Sequence, residues 1–399
     1  MAQKPEQYPL YYITHIDNLP SILEQGILSH NAIQAAALDC RHIDHESVNN
    51  LRASRYTPDG RSLWDYANLY FQPRNAMLYQ VFFDPRKNSK LRDNIVILKI
   101  DPSILDKDGI YIADGNAARR ETQIFPRAAG LAAIRQMKKV LAKEFWKEED
   151  GSKRQMMAEC LVPERVEPQY IREIYVPDAT TQQRVAELIH PSTLRVIPDA
   201  YLFFLPDHTI KITPKLHLVK GDMFFSFAQT LTISVNTQGI MGKGLAARAK
   251  YQFPDVYVVY QDACRGRAPK IRPGVPYLYK RESSLDLELA DDARLIAEPN
   301  DKKWFLLFPT KRHWRERSNL DDITKGLEWI QNNYQQEGIT SLALPALGCG
   351  LGNLAWADVG PLICQSMSEL DISVRIYLPR ETDTQPPDEQ LTRAFLLGR

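Results

Sequence analysis

Residues able to hold an anion recur three times in the second half of this 399-residue chain. The first group is Gly239, Gly242, Lys243 and Gly244, within Val235-Asn-Thr-Gln-Gly-Ile-Met-Gly-Lys-Gly-Leu-Ala-Ala-Arg248. It follows the apolar run 231–235 and leads into a helix-like segment, so the glycines sit at a strand-to-helix turn. Glycine permits positive φ and close backbone approach, while exposed N–H groups and the helix dipole attract negative charge. Neither familiar nucleotide signature is met. Lys243 is followed by Gly244 and not by the Ser or Thr of a P-loop, and the Gly-x-Gly-x-x-Gly fingerprint is missing. Taken alone, the glycines equally suit a plain tight turn. Two further apolar runs shift the balance: 304–308 ends in Pro309-Thr-Lys-Arg-His-Trp-Arg315, and 341–347 ends in Gly348-Cys-Gly-Leu-Gly352. Such loops meet at the carboxyl ends of strands in an α/β sheet, where ligands bind.

The first half offers a carboxylate instead. Glu159 lies in Gln155-Met-Met-Ala-Glu-Cys-Leu-Val162, where apolar neighbours make an unpaired charge expensive. His15 closes the strand-like Tyr11-Tyr-Ile-Thr-His15 and, by itself, reads as a satisfied core histidine. A short helix follows, stopped by Gly26 in the left-handed region. Residues 40–61 are polar and carry Arg52, Arg55 and Arg61, which equally suit a solvated loop. In 62–79 aromatic residues alternate with Arg74 and Asn75, a composition that suits base stacking and phosphate contact and equally an ordinary core. A basic helix is expected over 134–146, and Ser318 with Asp321 forms a capping box for the helix after it.

Length implies two domains. Hydrophobic content of 44% and charged content of 25% are those of a globular protein. A net charge of +1 provides no global attraction to nucleic acid, so DNA contact requires a local patch. Cysteines 40, 160, 264, 349 and 364 show no metal-ligand spacing, which points to reduced thiols in a cytoplasm and to no metal. No apolar run approaches the roughly 20 residues of a membrane span.

Residues 210–380, through Gly221-Asp222, Gly-Ile-Met-Gly-Lys-Gly and Phe-Pro-Thr-Lys-Arg-His-Trp, resemble a macrodomain of the DarG branch. The first 200 residues, through Tyr12-Ile-Thr-His15, Asp17-Asn-Leu-Pro20, Asp65-Tyr66, Tyr70-Phe-x-Pro-Arg-Asn-x-Met-Leu-Tyr79 and Ala158-Glu159-x-Leu-Val-Pro163, resemble DarT, a family of ADP-ribosyltransferases acting on bases of single-stranded DNA. The resemblance implies an α+β ADP-ribosyltransferase fold followed by an α/β macrodomain, a three-layer α/β/α arrangement on a mixed sheet. The expected divisions are 1–200, a linker at 201–214, the macrodomain at 215–382 and a polar, mobile tail at 383–399.

Roles follow by the same resemblance. Glu159 becomes the catalytic carboxylate, Arg52 the first choice and Arg55 the second for an arginine near pyrophosphate or base. Thr14, His15 and Gly26 hold NAD, and Tyr70 and Met77 line its nicotinamide side. Met157 stands where arginine-directed transferases carry Glu, which argues against protein arginine as acceptor. Arg120 replaces a histidine of relatives. In the macrodomain Asp222 receives adenine, Asn236 lies near the distal ribose, and Gly239, Gly242, Lys243 and Gly244 cradle pyrophosphate with Gly348, Gly350, Leu351 and Gly352. Lys311 acts on the ribose linked to the base, as nucleophile or as positive charge. Arg55, Arg74, Asn75, Arg154 and His313 are the DNA-contact candidates. The expected whole is a toxin fused to its antitoxin, using NAD as co-substrate and ADP-ribose as macrodomain ligand, acting on single-stranded DNA as a monomer in cis, without a membrane partner.

Overall fold

A computed structural model describes residues 8–43, 51–83, 93–146, 150–265, 269–281, 303–379 and 385–398. Parts of the polar loop 40–61 and of the tail fall outside them. The described chain divides into two units between Phe204 and Leu205.

The first unit contains β1 (Leu10–His15), β2 (Ile27–Leu28), β3 (Tyr66–Tyr70), β4 (Ile95–Ile100), β5 (Tyr111–Ala113), β6 (Ile124–Pro126), β7 (Glu159–Pro163), β8 (Arg165–Val166), β9 (Ile171–Val176) and β10 (Arg195–Pro198). Eight of these form one sheet in the order β10-β9-β4-β1-β3-β7-β5-β6, and β2 pairs with β8. All neighbours in the large sheet are antiparallel except β9 and β10. Apolar residues such as Val96, Leu98 and Ile174 are fully buried, which fixes the register because a one-residue slip would turn them outward.

The second unit contains β11 (His208–Lys211), β12 (Leu216–Lys220), β13 (Thr230–Asn236), β14 (Tyr277–Tyr279), β15 (Trp304–Lys311), β16 (Ser341–Pro345) and β17 (Ser373–Tyr377), ordered β11-β12-β17-β16-β13-β15-β14. The inner five run parallel and both edges antiparallel, the mixed sheet expected. Successive side chains point to opposite faces. Leu306 and Phe308 therefore join Ile323, Leu327 and Ile363 from the helices Leu320–Asn333 and Trp356–Ser368 on one face. Phe305 and Leu307 join Ala249, Val256 and Tyr260 from Gly244–Gln252 and Pro254–Cys264 on the other. Three layers result.

Several expectations need correction. The stretch 201–214 is divided between the units: Ala200–Phe203 is a 3-10 turn with Phe203 and Phe204 buried in the first, and β11 pairs with β12 in the second. The tail is not simply polar, because Leu391, Leu396 and Leu397 are buried in the second unit's core and Arg393–Leu397 is helical. The basic helix breaks at Met137 into Arg127–Gln136 and Lys138–Leu141. Asn319, not Ser318, caps the helix at Leu320, its side chain accepting from the N–H groups of Asp321 and Asp322. Gly26 has φ 92° with ψ −179°, so the helix stops there outside the left-handed helical region.

Candidate functional sites

Glu159 opens β7, an interior strand of the first sheet, opposite Tyr70 of β3 and Ala113 of β5. Its side chain is 1% exposed, a position tolerable for a carboxylate only with partners. Two are present. Arg52 donates from Nη1 to Oε2 at 2.8 Å, and the backbone N–H of Ala117 donates to Oε1 at 3.1 Å. The pair lines a cavity of about 650 Å³ together with Thr14, Gly26, Tyr70 and Met77. A Cβ on Gly26 would lie 2.3 Å from the Val166 carbonyl oxygen, so strand β8 requires glycine there. Met157 also faces this cavity.

Other candidates are placed differently. His15 is buried but does not line the cavity; its Nδ1 accepts from the Asp17 N–H, and burial lowers its pKa. Arg55 donates to the Thr122 carbonyl at 2.6 Å, away from the cavity. Arg74 is only 3% exposed, its guanidinium 3.8 Å from the Tyr201 ring centroid and 4.7 Å from that of Phe204, with Nη1 donating to the Tyr201 carbonyl. Cation–π stacking and burial give it a packing role in place of the expected DNA contact. Asn75 is fully buried and accepts from the Leu78 N–H, stabilising the start of the helix Ala76–Phe83. It too is no surface contact. Arg154 does reach the cavity wall, where it grips Asp114 at 2.7 Å.

Sequence reasoning missed Trp64 and Arg119, which both line the cavity. The Trp64 ring lies 3.9 Å from that of His30. Trp64 belongs to the aromatic-rich run, which was a usable signal; Arg119 adjoins the expected Arg120, which is exposed and outside the lining.

In the second unit the candidate residues come from the carboxyl ends of parallel strands. Asn236 ends β13 and Lys311 ends β15, and an irregularity after Val235 brings these two into register. The Lys311 Nζ donates to the carbonyl oxygen of Leu351, and burial lowers its pKa. Gly239 and Gly348 both have positive φ, 74° and 77°. Gly244 begins a helix, and a Cβ there would meet Leu351 Cδ1 at 3.2 Å. Both glycine loops and Lys311 thus converge on Leu351, which is 61% exposed. Gly242, Lys243 and Gly350 are exposed beside them, and Gly352 packs tightly against Gly348.

Asn236 and Asp222 carry more structure than expected. The Asn236 amide donates to the Ile240 carbonyl at 2.7 Å and accepts from the Gln238 N–H and the Tyr260 hydroxyl, which braces the first glycine loop. Burial pushes the Tyr260 phenol pKa upward, so it stays a donor. Asp222 accepts from the Phe224 N–H and pairs with Arg248 at 2.5 Å, while that guanidinium lies 4.6 Å from the Phe224 ring. Arg248 was not foreseen. His313 lies two residues beyond Lys311 in the loop after β15, its Nδ1 accepting from the Arg315 N–H. No metal-binding cluster occurs among the described residues, and no described helix is long and apolar enough to cross a membrane.

A family model described as "ssDNA thymidine ADP-ribosyltransferase, DarT" matches residues 11–203, and a Macro domain model matches residues 297–363. A DNA ADP-ribosyl transferase–DNA ADP-ribosyl glycohydrolase fusion protein of Thermosipho africanus is 53% identical over 393 residues, covering 98% of this chain and 99% of its own. The solved structure of Thermosipho africanus DarTG in complex with ADP-ribose matches with a TM-score of 0.88 at 51% identity, over 98% of this chain and 99% of that one. A DNA ADP-ribosyl glycohydrolase of Thermus aquaticus is 33% identical over 168 residues, 42% of this chain and 42% of its own. Near-complete coverage in both directions, with both glycine loops and the Glu159 cavity in place, shows that the chain belongs to the family of DNA ADP-ribosyl transferase–DNA ADP-ribosyl glycohydrolase fusions.

Proposed function

We infer that the first unit transfers ADP-ribose from NAD to a thymine base in single-stranded DNA and that the second unit removes it. The observation that supports this most is Glu159, held by Arg52 and the Ala117 N–H inside a cavity of about 650 Å³, a size in the range of small-molecule sites. Breaking the nicotinamide–ribose bond develops positive charge at the ribose, as in glycoside cleavage. A fixed carboxylate stabilises that charge and takes the proton the base loses as its nitrogen attacks. Arg52 orients the carboxylate through a charge-assisted hydrogen bond.

In the second unit, glycine loops and a helix N-terminus suit the pyrophosphate of ADP-ribose. Burial lowers the pKa of the Lys311 amine, which eases the proton loss that attack requires and supports the role of nucleophile over that of a fixed positive charge. Its Nζ bonds to the anomeric carbon, the bond to the base breaks with a proton returning to the base nitrogen, and water then frees the lysine. The chain works as a monomer whose two activities are kept at one-to-one stoichiometry and high effective concentration. Both substrates, NAD and DNA, place it in the cytoplasm.

The test is to incubate the Lys311→Ala chain with NAD and single-stranded oligonucleotides of each base and weigh the products. An adduct of one ADP-ribose on thymine-containing DNA, removed by the Glu159→Ala chain, is the expected result. An adduct that the Glu159→Ala chain leaves in place makes the second unit a reader of ADP-ribose. Labelling of RNA or protein but no DNA overturns the acceptor.

A further inference from the structure

Beyond Lys311 the chain makes a compact loop, 312–319, that presents an aromatic ring and arginines to solvent. Trp314 is 45% exposed, an unusual position for so large an apolar surface. Its ring lies 5.7 Å from that of His313 at 28°, and the Arg315 guanidinium is 4.6 Å from its centroid. Arg312, Arg315 and Arg317 are exposed in the same loop; Arg312 pairs with Asp322 at 3.4 Å, and Glu316 is the loop's own carboxylate.

The loop is anchored on both sides by the glycine loops. The Arg312 carbonyl accepts from the Thr237 hydroxyl at 2.8 Å and from its N–H at 3.3 Å, and the Ser318 N–H donates to the Gly352 carbonyl at 3.0 Å. His313 and Glu316 close the turn internally, the Glu316 N–H donating to the His313 carbonyl at 3.1 Å. This platform therefore sits at a fixed place beside the amine that acts on the modified base. A nucleic-acid chain carrying that base has neighbouring bases and phosphates on either side. Stacked rings with adjacent guanidinium groups are the chemistry that receives them, since every base has a π-face and every linkage a negative charge.

We propose that His313, Trp314 and Arg315 form a stacking platform for the single-stranded DNA flanking the ADP-ribosylated base, so that the second unit reads the DNA strand as well as the ADP-ribose. The proposal deepens the glycohydrolase reading and rests on it for the identity of the ligand. It assigns His313 a role through the stack, and gives Trp314 the largest share.

The test separates binding from turnover. In the full chain carrying Glu159→Ala and Lys311→Ala, neither activity alters the probe. The affinities measured are for a fluorescent single-stranded octanucleotide bearing one ADP-ribosylated thymine and, separately, for ADP-ribose. Adding Trp314→Ala is expected to weaken oligonucleotide binding on the order of tenfold and leave ADP-ribose binding unchanged, whereas Trp314→Phe retains most of the affinity. Arg315→Ala is expected to lower the slope of log affinity against log salt by about one. Equal affinity of the parent and the Trp314→Ala chain for the oligonucleotide overturns the platform, as does a parallel loss of ADP-ribose binding. An equal, Trp314-dependent gain with an ADP-ribosylated peptide overturns DNA as the occupant. Failure of the glycohydrolase reading would show elsewhere, as an adduct that survives the Lys311-containing chain.

Discussion

Two buried charges, one in each unit, are handled in opposite ways. In the first, Glu159 and Arg52 are buried as a pair 2.8 Å apart, their side chains 1% and 12% exposed. In the second, Lys303 is 7% exposed and, among the described residues, meets the carbonyl oxygens of Ser226 and Ala228 and no carboxylate, and burial lowers its pKa to about 7. Glu159 and Arg52 answer desolvation by pairing, as Asp222 and Arg248 do in the second unit, whereas Lys303 answers it by a lowered pKa. The difference follows from where the chemistry resides. Glu159 lines a cavity, whereas Lys303 ties the Ser226 and Ala228 carbonyls to the residue before β15, an architectural role.

The largest effect expected of this contrast is at Glu159. Glu159→Gln keeps the volume and the hydrogen-bonding shape but removes the charge, and transfer to DNA should fall about a thousandfold, within the range for losing one electrostatic stabiliser. Mass spectrometry of oligonucleotides in the Lys311→Ala background reads it. The same change breaks the buried pair with Arg52, and breaking a buried pair costs about 3 kcal/mol or more. A thermal unfolding scan should show the first unit melting earlier. Transfer at the parent rate would mean that the pair is architectural, and the contrast between the two buried charges would collapse.

That contrast also explains what was legible. Glu159 could be singled out because a carboxylate among Met156, Ala158, Cys160 and Leu161 requires a partner, and the glycine loops because glycine marks backbone geometry directly. Arg74 and Asn75 misled, since their local pattern is shared by a DNA contact and a packed corner; only Tyr201 and Phe204, more than a hundred positions later, decide it. The partners of Glu159 were half visible: Arg52 was one of four arginines in the polar loop 40–61, and nothing local separates it from Arg55. Arg248 and Asp222, 26 positions apart, became a pair only through the fold. The tail misled because Ala394-Phe-Leu-Leu397 is a short apolar run in a polar segment, too brief for periodicity to register.

If the second site is a backbone cradle, its glycines should not be equivalent. A Cβ at Gly352 would lie 2.3 Å from both the Gly348 carbonyl oxygen and Ser318 Oγ, whereas one at Gly350 meets nothing within 4 Å. Gly352→Ala is therefore expected to cost about 1–3 kcal/mol through overpacking, visible as weaker ADP-ribose binding or earlier unfolding of the second unit. Gly350→Ala should stay within about 0.5 kcal/mol of the parent, as surface substitutions do. Calorimetric titration with ADP-ribose compares them. Equal losses at both positions would show that the loop moves freely, so that crowding in the unbound protein does not set its shape.

The smallest effect tests the lone lysine. Between pH about 7 and 10.5 the unfolded chain holds a proton on Lys303 that the folded chain has released, so stability rises with pH across that window by up to about 1.4 kcal/mol per unit. Below pH about 7 both states are protonated and this contribution is flat. Lys303→Met removes the titration, so urea unfolding at pH 7, 8 and 9 should show a shallower pH slope in the variant than in the parent. The variant also leaves the Ser226 and Ala228 carbonyls without their donor, a loss of about 1–3 kcal/mol for each buried group, so the slope and not the absolute stability is the readout. Equal slopes would mean that Lys303 keeps its proton in the fold against carbonyl dipoles alone, and proton release would no longer distinguish it from the Glu159 and Arg52 pair.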